Sequence, residues 1–229
     1  MKSRRYNWLP DFVYGGIDGA VTTFAVVAGV AGAQLSTAII LILGFANLFA
    51  DGFSMAVGKY SSDRAEKQRI QSVRKNLDRE IHDNPEKARD DLEEVLHSRG
   101  FRSRDLTKAV EMMSANEAVW VDTLMRHKYR LIDEHIEPTK GAVATFIAFN
   151  LIGFIPLAAY VFNGFLHLEP RGLFQLTSGF TLLALFTVGA VKARVVKERW
   201  VVGGVETMVI GGVAAGIACL VGYLLRGIG

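Results

Sequence analysis

Long uncharged stretches alternate with one densely charged stretch along the 229 residues of the chain. Residues 141–168 and 172–191 contain no Asp, Glu, Lys or Arg, and residues 12–58 and 200–225 contain only isolated acids. Uncharged runs of about 18 residues or more are long enough to cross a bilayer as helices. A soluble helix of that length normally keeps one charged face. The pattern therefore predicts several membrane-spanning helices.

Polar breaks set the boundaries of these spans. Residues 12–58 are about twice as long as a single span, and the segment GAQLST at 32–37 is their only polar interruption. A proline inside the third apolar stretch, Pro156, should kink the helix there. The five predicted spans are about 11–33, 36–59, 140–163, 172–192 and 200–225.

The predicted fold class is all-α: a polytopic membrane protein with five transmembrane helices and a cytosolic helical insert between helices 2 and 3. Residues 1–60 should contain transmembrane helices 1 and 2, and residues 139–229 should contain helices 3 to 5. The insert occupies residues 61–138, which hold most of the charged side chains.

The placement of basic residues predicts the orientation. Basic side chains cluster before the first span and in the segment KARVVKER at 192–199, whereas the links at 33–36 and 164–171 carry only Arg171. Cytoplasmic loops of membrane proteins are enriched in Lys and Arg. We therefore predict an integral membrane protein whose N-terminus and insert are cytosolic and whose C-terminus lies on the opposite side. The net charge of +3 reflects this bias, and nucleic-acid binding is not needed to explain it.

The insert has a helical pattern throughout. Residues 61–82 should extend the second span as one long helix, and Asn84, Pro85 and Gly100 suit the cap, the first residue and the end of the next helix. Further helices are predicted at 103–114 and 116–138. The side chains expected to form a shared core are Val95, Leu96, Leu106, Val110, Met113, Val119, Trp120, Leu124 and Leu131.

The residues of the insert leave two roles open. The insert could be a solvated, salt-bridged helical domain that mainly packs and dimerises, since a domain of about 78 residues has a small core of its own. Alternatively, its acids could form a cytosolic site that collects metal.

Three carboxylates lie inside predicted spans: Asp18, Asp51 and Glu206. Each costs about 2.5–3.5 kcal/mol at the middle of the bilayer, and such acids typically line an ion or proton path. The sequence places no Lys or Arg deep in these spans, so each acid must be protonated or neutralised by a cation. This is the chemistry of a cation/proton exchanger. Glu206 lies near the cytosolic end, where it suits a proton relay or the cytosolic mouth.

Asn47, Asp51 and Met55 share one helix face, because they recur at intervals of four residues. Together they offer an amide oxygen, a carboxylate and a thioether. Magnesium and calcium prefer sites made only of oxygen, whereas the thioether suits a transition metal such as ferrous iron, with manganese possible. Each of these residues also has a packing alternative: Met55 as an apolar filler and the acids as hydrogen-bonded structural groups.

Four segments resemble the vacuolar iron transporter (VIT) family. YGGIDGAVTTFAVVAGVAGA and LGFANLFADGFSMAVGKY are similar to its first two helices, and IGFIPLAAY and GGVETMVIGGVAAGIA to its third and last. The resemblance implies a homodimer with the path at the subunit interface. It also implies export of ferrous iron, with manganese as a second substrate, from the cytosol in exchange for protons. Asp18 and Met55 match the family's translocation ligands, whereas Asn47 stands where plant and fungal members carry Glu, and Asp51 takes over its charge.

The resemblance also implies a metal site in the insert, and here the chain departs from the family pattern. It keeps Glu80, Glu86, Asp91 and Met125, but Leu77 and Ala88 stand where Glu is expected. Cationic side chains surround the retained Met. We therefore predict a degraded or differently tuned cytosolic metal site.

The sequence favours a transporter that exchanges divalent metal for protons, with the metal as substrate and no cofactor. One alternative is a membrane-anchored scaffold whose charged insert recruits a partner without transport. A channel would use the same acids to line a pore. An enzyme is not expected, because no Ser/His/Asp grouping, His-rich metal motif or phosphate-binding glycine loop occurs in the spans or loops.

Overall fold

The structure is a computed structural model that describes residues 6–131 and 136–227. All regular secondary structure in these ranges is α-helical. The helices are α1 (Leu9–Gly32), α2 (Thr37–Asp83), α3 (Pro85–Ser98), α4 (Ser103–Ser114), α5 (Glu117–His127), α6 (Pro138–Gly153), α7 (Ile155–Val161), α8 (Asn163–Leu166), α9 (Pro170–Val195) and α10 (Trp200–Leu225).

The chain forms two compact units, which we call the apolar unit and the charged unit. The apolar unit contains Asn7–Ser61 and Glu137–Gly229, and the charged unit contains Ser62–Ile136. The helix α2 belongs to both, because it continues without a break from its apolar half to Asp83. This continuity confirms the prediction of one long helix through residues 61–82.

The apolar unit supplies enough helices for four or five membrane spans. Helices α1, α2, α9 and α10 are each long and apolar enough to cross a bilayer, and α6 with α7 makes a fifth span if this bent pair is counted as one. The two parts of the pair are inclined by 45°. Pro156 stands at the start of α7 and has no N–H with which to continue the ladder of α6. The predicted kink is therefore present.

Helix α1 packs against α6, α9 and α10 and lies at the centre of the apolar unit. Glycines on α1 and α10 allow close contacts of this helix with its neighbours. A Cβ on Gly19 would lie 2.3 Å from the carbonyl oxygen of Phe149, and one on Gly222 would lie 2.0 Å from that of Gly29. Small residues at such positions let membrane helices approach backbone to backbone.

The charged unit has a small apolar core between α2, α3, α4 and α5. Asn84 and Asn116 cap α3 and α5 by accepting hydrogen bonds from the backbone N–H groups of Lys87 and Val119. Gly100, at φ +100°, follows the end of α3 as predicted. The fully buried core side chains include Leu77, Leu92, Leu124 and Met125.

Two details of the charged unit differ from the predictions. Val119 was expected in the core but is 41% exposed, since it lies on the outer side of α5. Helix α5 ends at His127 instead of continuing towards Pro138. Arg130 has a left-handed backbone with φ 55°, which a helix cannot contain. Residues 132–135, which belong to the second half of the predicted helix, lie outside the described residues, and Pro138, its predicted end, begins α6.

Candidate functional site

Helix α2 carries Asn47, Asp51 and Met55 on successive turns within the apolar unit. The amide nitrogen of Asn47 donates to the hydroxyls of Thr22 and Thr23 on α1, at 3.5 and 3.4 Å. This leaves its amide oxygen available as a ligand. Met55 is partly buried against a cluster of apolar side chains, whereas Asp51 is exposed on the surface of the single chain.

A glycine brings α2 close to α6 beside Asp51. A Cβ on Gly52 would lie 2.8 Å from the side-chain nitrogen of Asn150. That nitrogen donates to the carbonyl oxygen of Phe146 at 2.9 Å. Asn150 therefore adds a second amide near the predicted ligands. Asn150 is not among the predicted ligands, although a polar residue in an otherwise apolar span is a visible signal in the sequence.

Asp18 is half-buried on α1 and lines a cavity of about 440 Å³. The cavity lies between the beginning of α1 and the end of α9, and Tyr14 and Lys192 also line it. No ion pair joins Asp18 to a Lys or Arg within the described parts of the chain. Lys192 lies at the end of the fourth predicted span, so its position on this cavity beside Asp18 is a finding of the tertiary structure.

Asp18 on α1 and Asp51 on α2 are close enough for the charge of one carboxylate to act on the other. Like charges repel each other, and the repulsion grows as the dielectric constant of the surroundings falls. A cation or a proton bound by either carboxylate removes this repulsion. The arrangement can therefore bind and release a positive ion, with the amide of Asn47 and the thioether of Met55 on the same helix as one of the acids.

Glu206 is exposed on α10, in the second turn of the helix. It does not line the cavity beside Asp18, but Ile210, one turn further along α10, does. The structure therefore places Glu206 near that cavity and brings it into no ion pair with another described residue.

The structure does not bring the four acid and Met candidates of the charged unit into one cluster. Glu80 forms an ion pair with Lys87, and Asp91 forms one with Lys128. Met125 is buried in the core. Glu86 is exposed in the first turn of α3. Within residues 6–131 and 136–227, no group of three or more His, Cys, Asp or Glu side chains is arranged to hold a metal ion.

Two other features of the charged unit are not among the predicted sites. Asp90, Glu93, Glu94 and His97 line a shallow hollow of about 390 Å³ on α3, and their helical spacing was visible in the sequence. His127 accepts a hydrogen bond at Nδ1 from Arg99 at 2.5 Å. Burial, followed by the charges of Arg99 and Arg126, lowers the pKa of His127.

The described fold and its isolated carboxylates define a helical integral membrane protein with acids in its apolar unit. The sequence model of the VIT family matches residues 9–223, so the chain belongs to the VIT family. This confirms the resemblance seen in the sequence.

Curated relatives extend over nearly the whole chain. The vacuolar iron transporter of Toxoplasma gondii is 31% identical over 96% of this chain and 75% of its own length. Vacuolar iron transporter 1 of Arabidopsis thaliana is 30% identical over 92% of this chain and 83% of its own length. The vacuolar iron transporter of Plasmodium berghei is 28% identical, with shares of 95% and 82%. These relatives are named as transporters, which agrees with the expectation that the chain is not an enzyme.

Proposed function

We propose that the protein transports ferrous iron, and manganese as a second substrate, out of the cytosol in exchange for protons. The names of its relatives support iron as the cargo. The observation that carries the exchange mechanism is the pair Asp18 and Asp51. These carboxylates lie on neighbouring helices, interact with each other, and have no basic partner among the described residues. A passing cation or proton is the partner that they lack.

In this mechanism Asp18 and Asp51 alternate between metal and proton. Metal reaches Asp18 through the cavity between α1 and α9. Asn47 and Met55 replace part of the water shell of the ion, because they lie one turn on either side of Asp51. A soft thioether among oxygen ligands favours ferrous iron over magnesium or calcium. Glu206 relays protons or lines the cytosolic mouth.

The orientation proposed from the basic residues fits this direction of transport. The apolar unit would provide five spans, with residues 1–60 and 139–229 in the membrane and residues 61–138 in the cytosol. The C-terminus would lie on the opposite side. The first cavity then opens near the basic loop at 192–199, which the distribution of Lys and Arg predicts to be cytosolic.

Asp51 also supports a homodimer with the ion path at the subunit interface. Its carboxylate is exposed on α2 of the single chain, and Phe49 and Phe53, which point to other sides of the same helix, are 61% and 65% exposed. A carboxylate that faces lipid is costly, whereas one in a bundle interior can be neutralised by its cargo. A second copy of the chain that covers α2 would convert the exposed acid into an interior one.

The charged unit would bind metal only weakly through Glu80, Glu86, Asp91 and Met125. Glu80 and Asp91 each form an ion pair with a lysine. The side chain of Met125 is buried in the core of the charged unit. This supports the view of a degraded or differently tuned site.

The exchange mechanism is tested with purified protein in liposomes. Ferrous iron uptake is measured with and without a pH gradient of either sign. Uptake should accelerate when protons flow against the metal, and the liposome lumen should change its pH as metal moves. A rate of ferrous iron uptake that does not depend on the pH gradient would indicate a channel. Full biological activity without any metal movement would favour a scaffold that acts through the charged unit.

A further inference from the structure

A basic hollow lies on the charged unit, at the point where α3 is followed by α4. Its volume is about 540 Å³. Three of the side chains that line it are cationic and one is acidic, so the hollow carries a net positive charge. The lining residues are Arg99, Gly100, Phe101, Arg102, Asp105, Lys108, Ala109 and Met112.

The charges of this unit are unevenly distributed along the chain. Residues 99–108 contain four basic side chains, those of Arg99, Arg102, Arg104 and Lys108, against the single acid Asp105. Residues 78–94 contain eight acids and three basic side chains. The surface around the basic hollow is therefore positive although the unit as a whole contains many acids. A surface of one sign attracts a partner of the opposite sign.

The cations at the basic hollow are not neutralised by acids. Within residues 6–131 and 136–227, no ion pair joins an Asp or Glu to any of these four basic side chains. Nη1 of Arg102 donates to the carbonyl oxygens of His97 and Phe101, at 2.5 and 2.7 Å. These two bonds fix the guanidinium but leave its charge uncompensated. Arg104 and Lys108 lie one turn apart on α4, and both are exposed.

Two large apolar side chains are exposed at the same hollow. Phe101 is 41% exposed, and Met112 is 68% exposed. A single exposed apolar residue needs no explanation. Here, however, a phenyl ring and a thioether lie beside uncompensated cations. Surfaces that bind at a membrane interface combine basic side chains, which meet anionic headgroups, with apolar side chains, which enter the boundary of the acyl chains.

The course of the chain turns the basic hollow back along α2. Helix α3 begins one residue after α2 ends, and Leu77 of α2 shares a buried cluster with Leu92 and Leu96 of α3. Two helices joined by one residue can share a core only if the chain turns back sharply at the joint. The end of α3 therefore lies beside earlier turns of α2, and α2 is continuous from those turns into its apolar half.

We propose that the basic hollow docks on the bilayer itself by binding anionic phospholipid headgroups. The cations contact the headgroups, and Phe101 and Met112 enter the boundary of the acyl chains. In the proposed orientation this surface is the cytosolic leaflet, which is rich in anionic lipid. Because α2 tethers the charged unit to the membrane, the effective concentration of the lipid surface is high and a few contacts suffice. The inference does not depend on metal transport.

Docking is measured on the full-length protein in nanodiscs. Cys219, the one cysteine of the chain, is replaced by serine, and Met112→Cys provides a site for an apolar bimane fluorophore. A nitroxide attached to a lipid quenches this fluorophore only when the hollow touches the bilayer. The nanodiscs contain phosphatidylcholine alone or a mixture with phosphatidylserine. Both leaflets have the same composition, so the result does not depend on the orientation of the chain.

Quenching should be stronger with phosphatidylserine and should fall when salt is added, because salt screens exposed charges. Arg104→Gln with Lys108→Gln should lower the ratio of docked to undocked molecules by about tenfold or more, since each cation near an anionic surface contributes about fivefold. The matched control is Lys75→Gln with Arg89→Gln, which removes two exposed cations outside the hollow. This control should dock like the parent protein. Thermal unfolding checks that all the proteins are folded.

Three results would overturn the proposal. Equal quenching in the two kinds of nanodisc would show that the hollow does not recognise anionic lipid. Equal losses in the two double variants would show that the total charge acts without a local site. A change of bimane fluorescence on adding soluble polyglutamate, without any response to phosphatidylserine, would assign the hollow to an acidic protein partner. Each of these results would leave the proposed transport function intact, because metal uptake is measured separately.

Discussion

The acids of the charged unit and those of the apolar unit have opposite surroundings. In the charged unit, Glu80 and Asp91 each meet a lysine, and Asp122 meets Arg126 one turn away. In the apolar unit, Asp18 and Asp51 have no basic partner among the described residues and instead interact with each other. A solvated ion pair is a minor structural contact. An isolated carboxylate in an apolar helix is costly, which is why we propose that Asp18 and Asp51 bind a cation.

The largest effect should come from removing one of the isolated acids. Asp18→Asn or Asp51→Asn should each lower the initial rate of ferrous iron uptake into liposomes by about tenfold or more, since an intramembrane acid on an ion path is functional by default. The amide keeps the size of the side chain but cannot exchange a proton for a metal. The matched control is Glu111→Gln, an exposed acid of the charged unit. Equal losses in all three proteins would remove the distinction between the units.

A change at Met55 should have a smaller and selective effect. Met55→Leu preserves an apolar side chain of similar size but removes the thioether. Uptake of ferrous iron should fall by about threefold relative to uptake of manganese, because the softer metal gains more from sulfur. The measurement is a competition assay in liposomes with both metals present. A parallel loss of both metals would show that Met55 acts through packing against the apolar cluster.

Removing a lysine should make the charged unit more like a metal site. Lys128→Ala frees Asp91 from its ion pair. The affinity of the full-length protein for manganese, measured by titration calorimetry in detergent, should rise by up to about fivefold, which corresponds to the upper range for one exposed ion pair. Lys108→Ala serves as a control for the loss of one positive charge on the exposed surface of α4. The same gain in both variants would indicate a general charge effect without a local site.

The smallest effect concerns the response of the charged unit to pH. Because the pKa of His127 is lowered in the folded protein, the unfolded chain takes up this proton first as the pH falls below about 6.5. Stability linked to neutral His127 is therefore present above that pH and is lost as the pH falls. Protonation also removes the acceptor that Arg99 uses. Thermal unfolding of the full-length protein should show a smaller drop between pH 7 and pH 5.5 in His127→Gln, and an unchanged drop would exclude this residue as its source.

Helix formation could be predicted because its signals are local. The uncharged runs indicated the long apolar helices, Asn84 and Gly100 marked the limits of α3, and Pro156 marked the bend between α6 and α7. The early end of α5 could not be predicted in this way. Arginine does not favour the left-handed backbone that Arg130 adopts, so no local sequence pattern indicates that the helix ends before this residue.

Neighbours across helices were harder to predict. Spacing on one helix placed Asn47, Asp51 and Met55 on one face, but it could not reveal that Thr22 and Thr23 hold the Asn47 amide. Nor could it show that Asn150 lies beside Gly52. Such contacts depend on how two helices are rotated and shifted against each other, which glycine contacts and side-chain packing decide together.

The sequence by itself determined that the chain is helical, that most of its apolar helices suit a membrane, and that three acids lie where charge is costly. These properties depend on the solvation of individual side chains and on hydrogen bonds within single helices. Only the tertiary structure decided which acids interact, which acids are neutralised by lysine, and where polar cavities remain between helices. Those outcomes depend on distances between residues far apart in the chain, and closely packed helices fix such distances only when the whole unit has formed.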